Sequence, residues 1–339
     1  MSASLQPPRE RAIDRFKGLL VIGMVYGHVL QFFSDPAIFP AAGRIIDAVN
    51  LITFSGFVFS FGYVSRLAYY AKPLRRAAPR MLLAALKTLL AFYISGLAFR
   101  LFIDRRPPDW ETLKPILLLQ DMPGWSEFLL SFTYLTLAGL ILFVPLQRLA
   151  EKPRLAFPAA ALLLLTTFLP YEAVTSTPLG PLLGTRQFAS FPVLQYFPYY
   201  LLGMLFARWR IGWHPGVLAG SLAASGLFVW LVLDAGGLPE RFPPSIGWIA
   251  GPALALYGYY LLSRLMERCP RPFAPLEALG RNVLWCLLFS NLLVFSLKSI
   301  QADDLPRSPA EALRLALIVQ TVVGFSIGLI VKAPRRSGR

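Results

Sequence analysis

Apolar runs of about twenty residues recur along this chain, and they leave it few ways to fold. A run of that length crosses the hydrocarbon core of a bilayer as a helix, with its backbone groups satisfied internally. Ten spans are read, at 16–34, 45–70, 81–103, 126–146, 154–172, 190–208, 213–233, 245–264, 281–300 and 311–332. Composition agrees. The chain is 56% hydrophobic and 15% charged, where a soluble domain is about a quarter charged. The expected fold is an all-α integral membrane bundle of about ten transmembrane helices. A segment at 1–15 precedes a single transmembrane domain at 16–332, and a basic tail follows at 333–339. The first run is too long for the core of a leader and no small-residue cleavage site follows it, so it reads as a retained helix.

The net charge is +15, but its distribution says more than its size. With the N-terminus inside, the inner segments hold twenty-two Lys and Arg and the outer ones ten, leaving Lys87 within a span. That bias predicts both termini in the cytoplasm and an even number of spans, as for a multi-pass protein of the plasma (bacterial inner) membrane. Lipid is then the constant partner, and the basic charge implies no nucleic acid. Two Cys and two His, spaced as they are, suggest neither a disulfide framework nor a metal site.

His28 sits deep in the first apolar run. Ionisable groups at that depth normally face the protein interior or a watery cavity. On a helix, Lys17 and His28 lie roughly 20° apart around the axis and about 16 Å apart along it, and Asp14 is close to the same stripe. At the depth of His28, span 2 offers Ser55 and Gly56, span 9 offers Ser290 and Asn291, and span 10 offers Gln320. Such groups can orient an imidazole, although they are also common packing residues between helices. Glu127, Glu172, Asp35 and Asp47 fall at outer ends and read as solvated. Arg75, Arg76 and Arg80, beside Lys72, fit the positive-inside rule and would also suit a phosphate. Trp110, Trp125 and Tyr171 in the outer loops are compatible with carbohydrate stacking.

The order of these features resembles the membrane acyltransferase-3 family. That family opens with Arg-x-x-Asp-x-x-Lys/Arg-Gly and an apolar helix carrying Gly-His, matched here by Arg11, Asp14, Lys17, Gly18, Gly27 and His28. Its second-helix Ser-Gly is matched by Ser55-Gly56 and its arginine-rich loop by "RRAAPR"; "QYFPYYLLGMLFAR" and "LGRNVLWCLLFSN" resemble two later helices. Asn291 replaces the His of the last of these, and the arginine loop carries one extra residue. The resemblance implies transfer of an acetyl or other short acyl group from cytoplasmic acyl-CoA to a hydroxyl of an extracytoplasmic polysaccharide or glycolipid. It implies His28 as general base, a role an imidazole suits near neutral pH, with Asn291 and Ser55 beside it. It implies Arg11, Asp14, Lys17, Arg75, Arg76 and Arg80 at the CoA moiety, and no metal. Two other readings stand on the residues: a proton-coupled transporter or flippase using His28 as its protonation site, and a non-catalytic family member. Transport is disfavoured by the lack of visible inverted halves.

Overall fold

The computed structural model describes residues 10–269, 273–301 and 306–332. The expected basic tail at 333–339, Arg9 and the residues before it, and Arg271 lie outside the described residues. The described chain is helical, in the order α1 (Arg11–Phe33), α2 (Pro40–Ser65), α3 (Leu74–Phe102), α4 (Trp110–Leu117), α5 (Glu127–Ile141), α6 (Phe143–Ala150), α7 (Pro153–Leu164), α8 (Gly180–Leu183), α9 (Val193–Trp209), α10 (Pro215–Ala235), α11 (Ile246–Ala250), α12 (Ala253–Leu265), α13 (Ala274–Arg281), α14 (Val283–Ile300) and α15 (Pro309–Lys332).

Proline sets many of these boundaries. Pro40, Pro153 and Pro215 open α2, α7 and α10, where the missing N–H has no intrahelical partner to lose. Pro73 stands just before α3, after α2 has continued through a π-turn at Arg66–Tyr70. The second histidine, His214, acts locally, its Nδ1 accepting the Gly216 N–H at 3.1 Å to cap α10. At the start of α1, the Ala12 N–H donates to Glu267 Oε1 at 3.1 Å, placing a carboxylate at the positive end of that helix.

The chain is an all-α, multi-pass membrane protein. Among the described residues, six helices are long and apolar enough to cross a bilayer: α1, α2 with its π-turn, α3, α10, α14 and α15. A seventh crossing arises if α5 and α6, bent by 82° at Leu142, act together. The other three segments read as spans are shorter. The one at 154–172 becomes α7 and a 3-10 turn ending at Phe168. That at 190–208 becomes the 17-residue α9. The run 245–264 divides at Gly251-Pro252 into α11 and α12, because proline lacks the N–H that would continue the ladder.

Helix α1 lies at the centre, against α2, α12, α13, α14 and α15, while α2 packs along α9. The α2–α9 crossing brings backbones into contact. A Cβ on Gly62 would collide with the Tyr200 carbonyl, and one on Gly203 with the Phe59 carbonyl. Helix α10 is the opposite case: its apolar window has a mean hydropathy of 2.0 and none of its residues is buried. It is a peripheral helix facing lipid.

Candidate active site

The charged head of α1 is mostly tied down. Arg15, fully buried, donates Nε and Nη2 to Glu277 Oε1 of α13 at 2.9 and 2.6 Å, and its guanidinium lies 5.5 Å from the Phe273 ring. Asp14 pairs with Lys17 at 3.0 Å, and the Tyr63 hydroxyl donates to the Glu10 carboxylate. Gly18 and Gly280 let α1 and α13 touch: a Cβ on either would strike backbone, the Leu276 carbonyl in one case and the Asp14 carbonyl in the other. Much of the head sequence therefore holds α13 against α1.

Beside this joint lies a cavity of about 200 Å³. Lys17, Phe57, Ser60, Thr88, Arg281 and Leu287 are among its walls. Arg281 was missed as a candidate; the signal was its place in "LGRN", directly before α14. Arg11 is exposed, as are Arg75, Arg76 and Arg80 on the opening turns of α3, and none of the four lines the cavity. Thr88, which does, is eight residues beyond Arg80, about 12 Å along the helix.

His28 borders a second, smaller cavity of about 50 Å³, together with Asn50, Thr53, Phe57, Phe191 and Arg241. The imidazole is largely enclosed by protein and is part of the wall of this cavity. Phe57 is common to both walls. One aromatic ring of α2 thus stands between the Lys17 cavity and the His28 cavity.

Asn291 is the depth-matched residue that reaches His28. Its Nδ2 donates to Ser95 Oγ at 3.1 Å and to the Trp125 carbonyl at 3.0 Å. Its Oδ1 closes no well-formed hydrogen bond among the described residues, and Asn291 interacts with the imidazole. The Trp125 indole N–H donates to Gln31 Oε1 at 2.8 Å, and Gln31 Nε2 reaches Asn50 Oδ1 at 3.5 Å. The other depth-matched groups point elsewhere. Ser55 is buried but does not line the cavity. Ser290 donates to the Leu287 carbonyl of its own helix, and Gln320 donates to the Ile22 carbonyl. Of the aromatic residues considered for carbohydrate, Trp125 is packed against Phe32 and Phe99, Tyr171 is buried, and Trp110 is exposed.

Two charged groups, Arg241 on the wall of the His28 cavity and Glu127, which acts on Arg241, come from positions that carry no motif. Arg241, in the loop after α10, is held among rings, its guanidinium 4.4 Å from Phe242, 5.4 Å from Phe191 and 5.8 Å from Trp248. Burial pushes this guanidinium below its ordinary range, an effect opposed by Tyr196, Glu127 and Asp47. Its Nε has no hydrogen-bond partner among the described residues. Glu127, expected in solvent, is instead 7% exposed at the start of α5, and its Oε2 is likewise unpartnered among the described residues. Two residues before it, the Trp125 carbonyl is tied to Asn291 of α14, and the first turn of α5 is buried from Glu127 to Leu130. Glu172, by contrast, sits at the surface and accepts from Arg186 at 2.5 Å. Among the described residues no three His, Cys, Asp or Glu side chains converge as metal ligands do.

No curated protein and no solved structure matches the chain. Residues 10–332 match the family model described as an acyltransferase domain, which is that of the membrane acyltransferase-3 family. Nearly the whole described chain, from the charged head to the last helix, falls inside that match, and the protein belongs to the membrane acyltransferase-3 family.

Proposed function

We propose that this protein moves an acetyl or similarly short acyl group from cytoplasmic acyl-CoA to a hydroxyl of an extracytoplasmic polysaccharide or glycolipid, with His28 as general base. The observation that carries the reading is the pair of cavities along α1, one with Lys17 and the other with His28, meeting at Phe57. The proposal includes the topology that the charge bias supports: ten apolar segments crossing, and the Arg11 end of α1 in the cytoplasm.

In this account the CoA nucleotide stays at the inner surface and its pantetheine arm enters the Lys17 cavity. Lys17 and Arg281 meet the anionic part of the donor, Asp14 fixes Lys17, and the exposed Arg11, Arg75, Arg76 and Arg80 draw phosphate towards the mouth. The thioester passes Phe57 to reach the His28 cavity, whose volume of about 50 Å³ suits a group of few heavy atoms. Asn291 accepts a hydrogen bond from one imidazole nitrogen, leaving the other free to take the proton of an acceptor hydroxyl. Acceptor oxygen then attacks the acyl carbonyl carbon. Collapse expels the CoA sulfur, which receives the proton from His28. The products are an ester and CoA thiol. Ser55 takes no part in this chemistry.

Labelled acetyl-CoA turned over by the purified, detergent-solubilised protein tests the reading. His28→Ala is expected to lower turnover by about 10²- to 10⁴-fold while acetyl-CoA still binds. Full activity in that variant would remove His28 as the base, and a wild-type protein that binds no CoA would favour transport instead.

A further inference from the structure

Resting on the proposed acyl transfer, a second assignment concerns a residue that lies in none of the matched motifs. We infer that Arg241 is a catalytic residue: its guanidinium stabilises the oxyanion formed when an acceptor oxygen attacks the acyl carbonyl beside His28.

Size is the first argument. His28 and Arg241 border the same cavity, and that cavity measures about 50 Å³. A carbonyl close enough to His28 for its attacking nucleophile to be deprotonated has little room to be far from Arg241.

Cost is the second argument. A guanidinium taken out of water is expensive to keep, by several kcal/mol in real proteins, unless an anion accompanies it. Arg241 closes no ion pair among the described residues, and Glu127 and Asp47 act on it only from a distance. The rings of Phe191, Phe242 and Trp248 explain how the side chain is held. They do not use its donors. No hydrogen bond from the Arg241 guanidinium closes among the described residues, and its Nε is buried without a partner. The site thus holds a positioned, underused donor set where negative charge would develop.

The reaction supplies the missing anion. As the acceptor oxygen bonds to the carbonyl carbon, its proton passes to His28 and the carbonyl π pair moves onto oxygen. Without that oxyanion, imidazolium and guanidinium would be two cations sharing one small cavity. With it, both cations face an anion that exists only on the reaction path, so the interaction lowers the barrier without tightening donor binding. When the intermediate collapses the pair returns to the C=O bond, the C–S bond breaks, and His28 protonates the departing sulfur. Arg241 gains and loses no proton.

The test is acetyl-CoA turnover with water as the acyl acceptor, since hydrolysis passes through the same oxyanion. Arg241→Gln is expected to reduce kcat about 10²- to 10³-fold, with KM and Kd for acetyl-CoA nearly unchanged. Arg241→Lys, which keeps a charge but not the fork, is expected to fall between. Millimolar guanidinium is expected to restore part of the activity of Arg241→Gln and none of that of His28→Ala. A wild-type kcat in Arg241→Gln overturns the inference while leaving the acyl-transfer reading intact. So does a parallel loss of kcat and donor binding in both Arg241 variants without guanidinium rescue, which would mark a structural role. Wild-type protein that binds acetyl-CoA and never turns it over would overturn both.

Discussion

The two ends of α1 carry similar kinds of residue and treat them differently. At the Arg11 end, charges find charged or polar partners, Arg15 with Glu277, Asp14 with Lys17 and Tyr63 with Glu10, and Arg15 Nη1 alone of these pairs' atoms is buried without a hydrogen bond among the described residues. Their geometry clamps α13 onto the central helix. At the His28 end, two charged side chains keep an enclosed atom without a hydrogen bond among the described residues: Arg241 at Nε and Glu127 at Oε2. A buried polar atom without a hydrogen bond costs about 1–3 kcal/mol, and Arg241 carries that cost on the wall of the small cavity itself. Paired charge builds the frame, and the unpaired charge of Arg241 beside His28 is where a substrate would complete the network.

That contrast can be broken from the frame side first. Glu277→Ala leaves Arg15 buried and alone, and is expected to cost about 3–5 kcal/mol of stability. Thermal unfolding in detergent should show the loss, while turnover per folded molecule stays close to wild type. Normal stability in this variant would mean that Arg15 is not a frame residue. From the other end, Asn291→Ala is expected to lower kcat about tenfold, the equivalent of one hydrogen bond of roughly 1.4 kcal/mol, with acetyl-CoA affinity preserved. An unchanged kcat would return Asn291 to its role as a link to Ser95 and Trp125.

Between the ends the expected effects are smaller. Lys17→Glu reverses a charge on the larger cavity and should weaken acetyl-CoA binding by up to about tenfold in calorimetry, leaving the protein folded. An unaltered Kd would reduce Lys17 to a topological charge. Phe57→Ala removes the shared wall and should raise the turnover of butyryl-CoA relative to acetyl-CoA, by about fourfold for each methylene accommodated. The ratio is read within one protein, so a lower folded fraction does not affect it. A constant ratio would mean that the acyl group takes another route.

Much of the frame was legible in the sequence. Apolar run length gave the all-α membrane class, and the stripe from Asp14 and Lys17 to His28 placed both cavities on one helix. Depth matching found Asn291 because two helices crossing the same bilayer bring residues of equal depth to one level. It gave Gln320 for the same reason, and rotation about the helix axis turned that side chain to the Ile22 carbonyl, while Ser55 is buried but does not line the His28 cavity. Glu127 and Arg241 were beyond its reach. Arg241 belongs to the connection after α10 and Glu127 to the first turn of α5, at and beyond helix ends, where distance along the chain is a poor guide to depth. The cluster of aromatic and proline residues in "ERFPPS" was the available hint for Arg241, since rings around a guanidinium hold it in place. Segments such as 245–264 read as unbroken spans because mean hydropathy does not register that Gly251-Pro252 interrupts the hydrogen-bond ladder.

The most direct test is a structure with a non-transferable oxa(dethia) analogue of acetyl-CoA bound. The account predicts the nucleotide at the Lys17 mouth, the pantetheine arm along the larger cavity, and the acyl carbonyl past Phe57 with His28 on one side and Arg241 on the other. An analogue bound with its nucleotide at the Asp35 end of α1, or with its acyl carbonyl outside the His28 cavity, would contradict it.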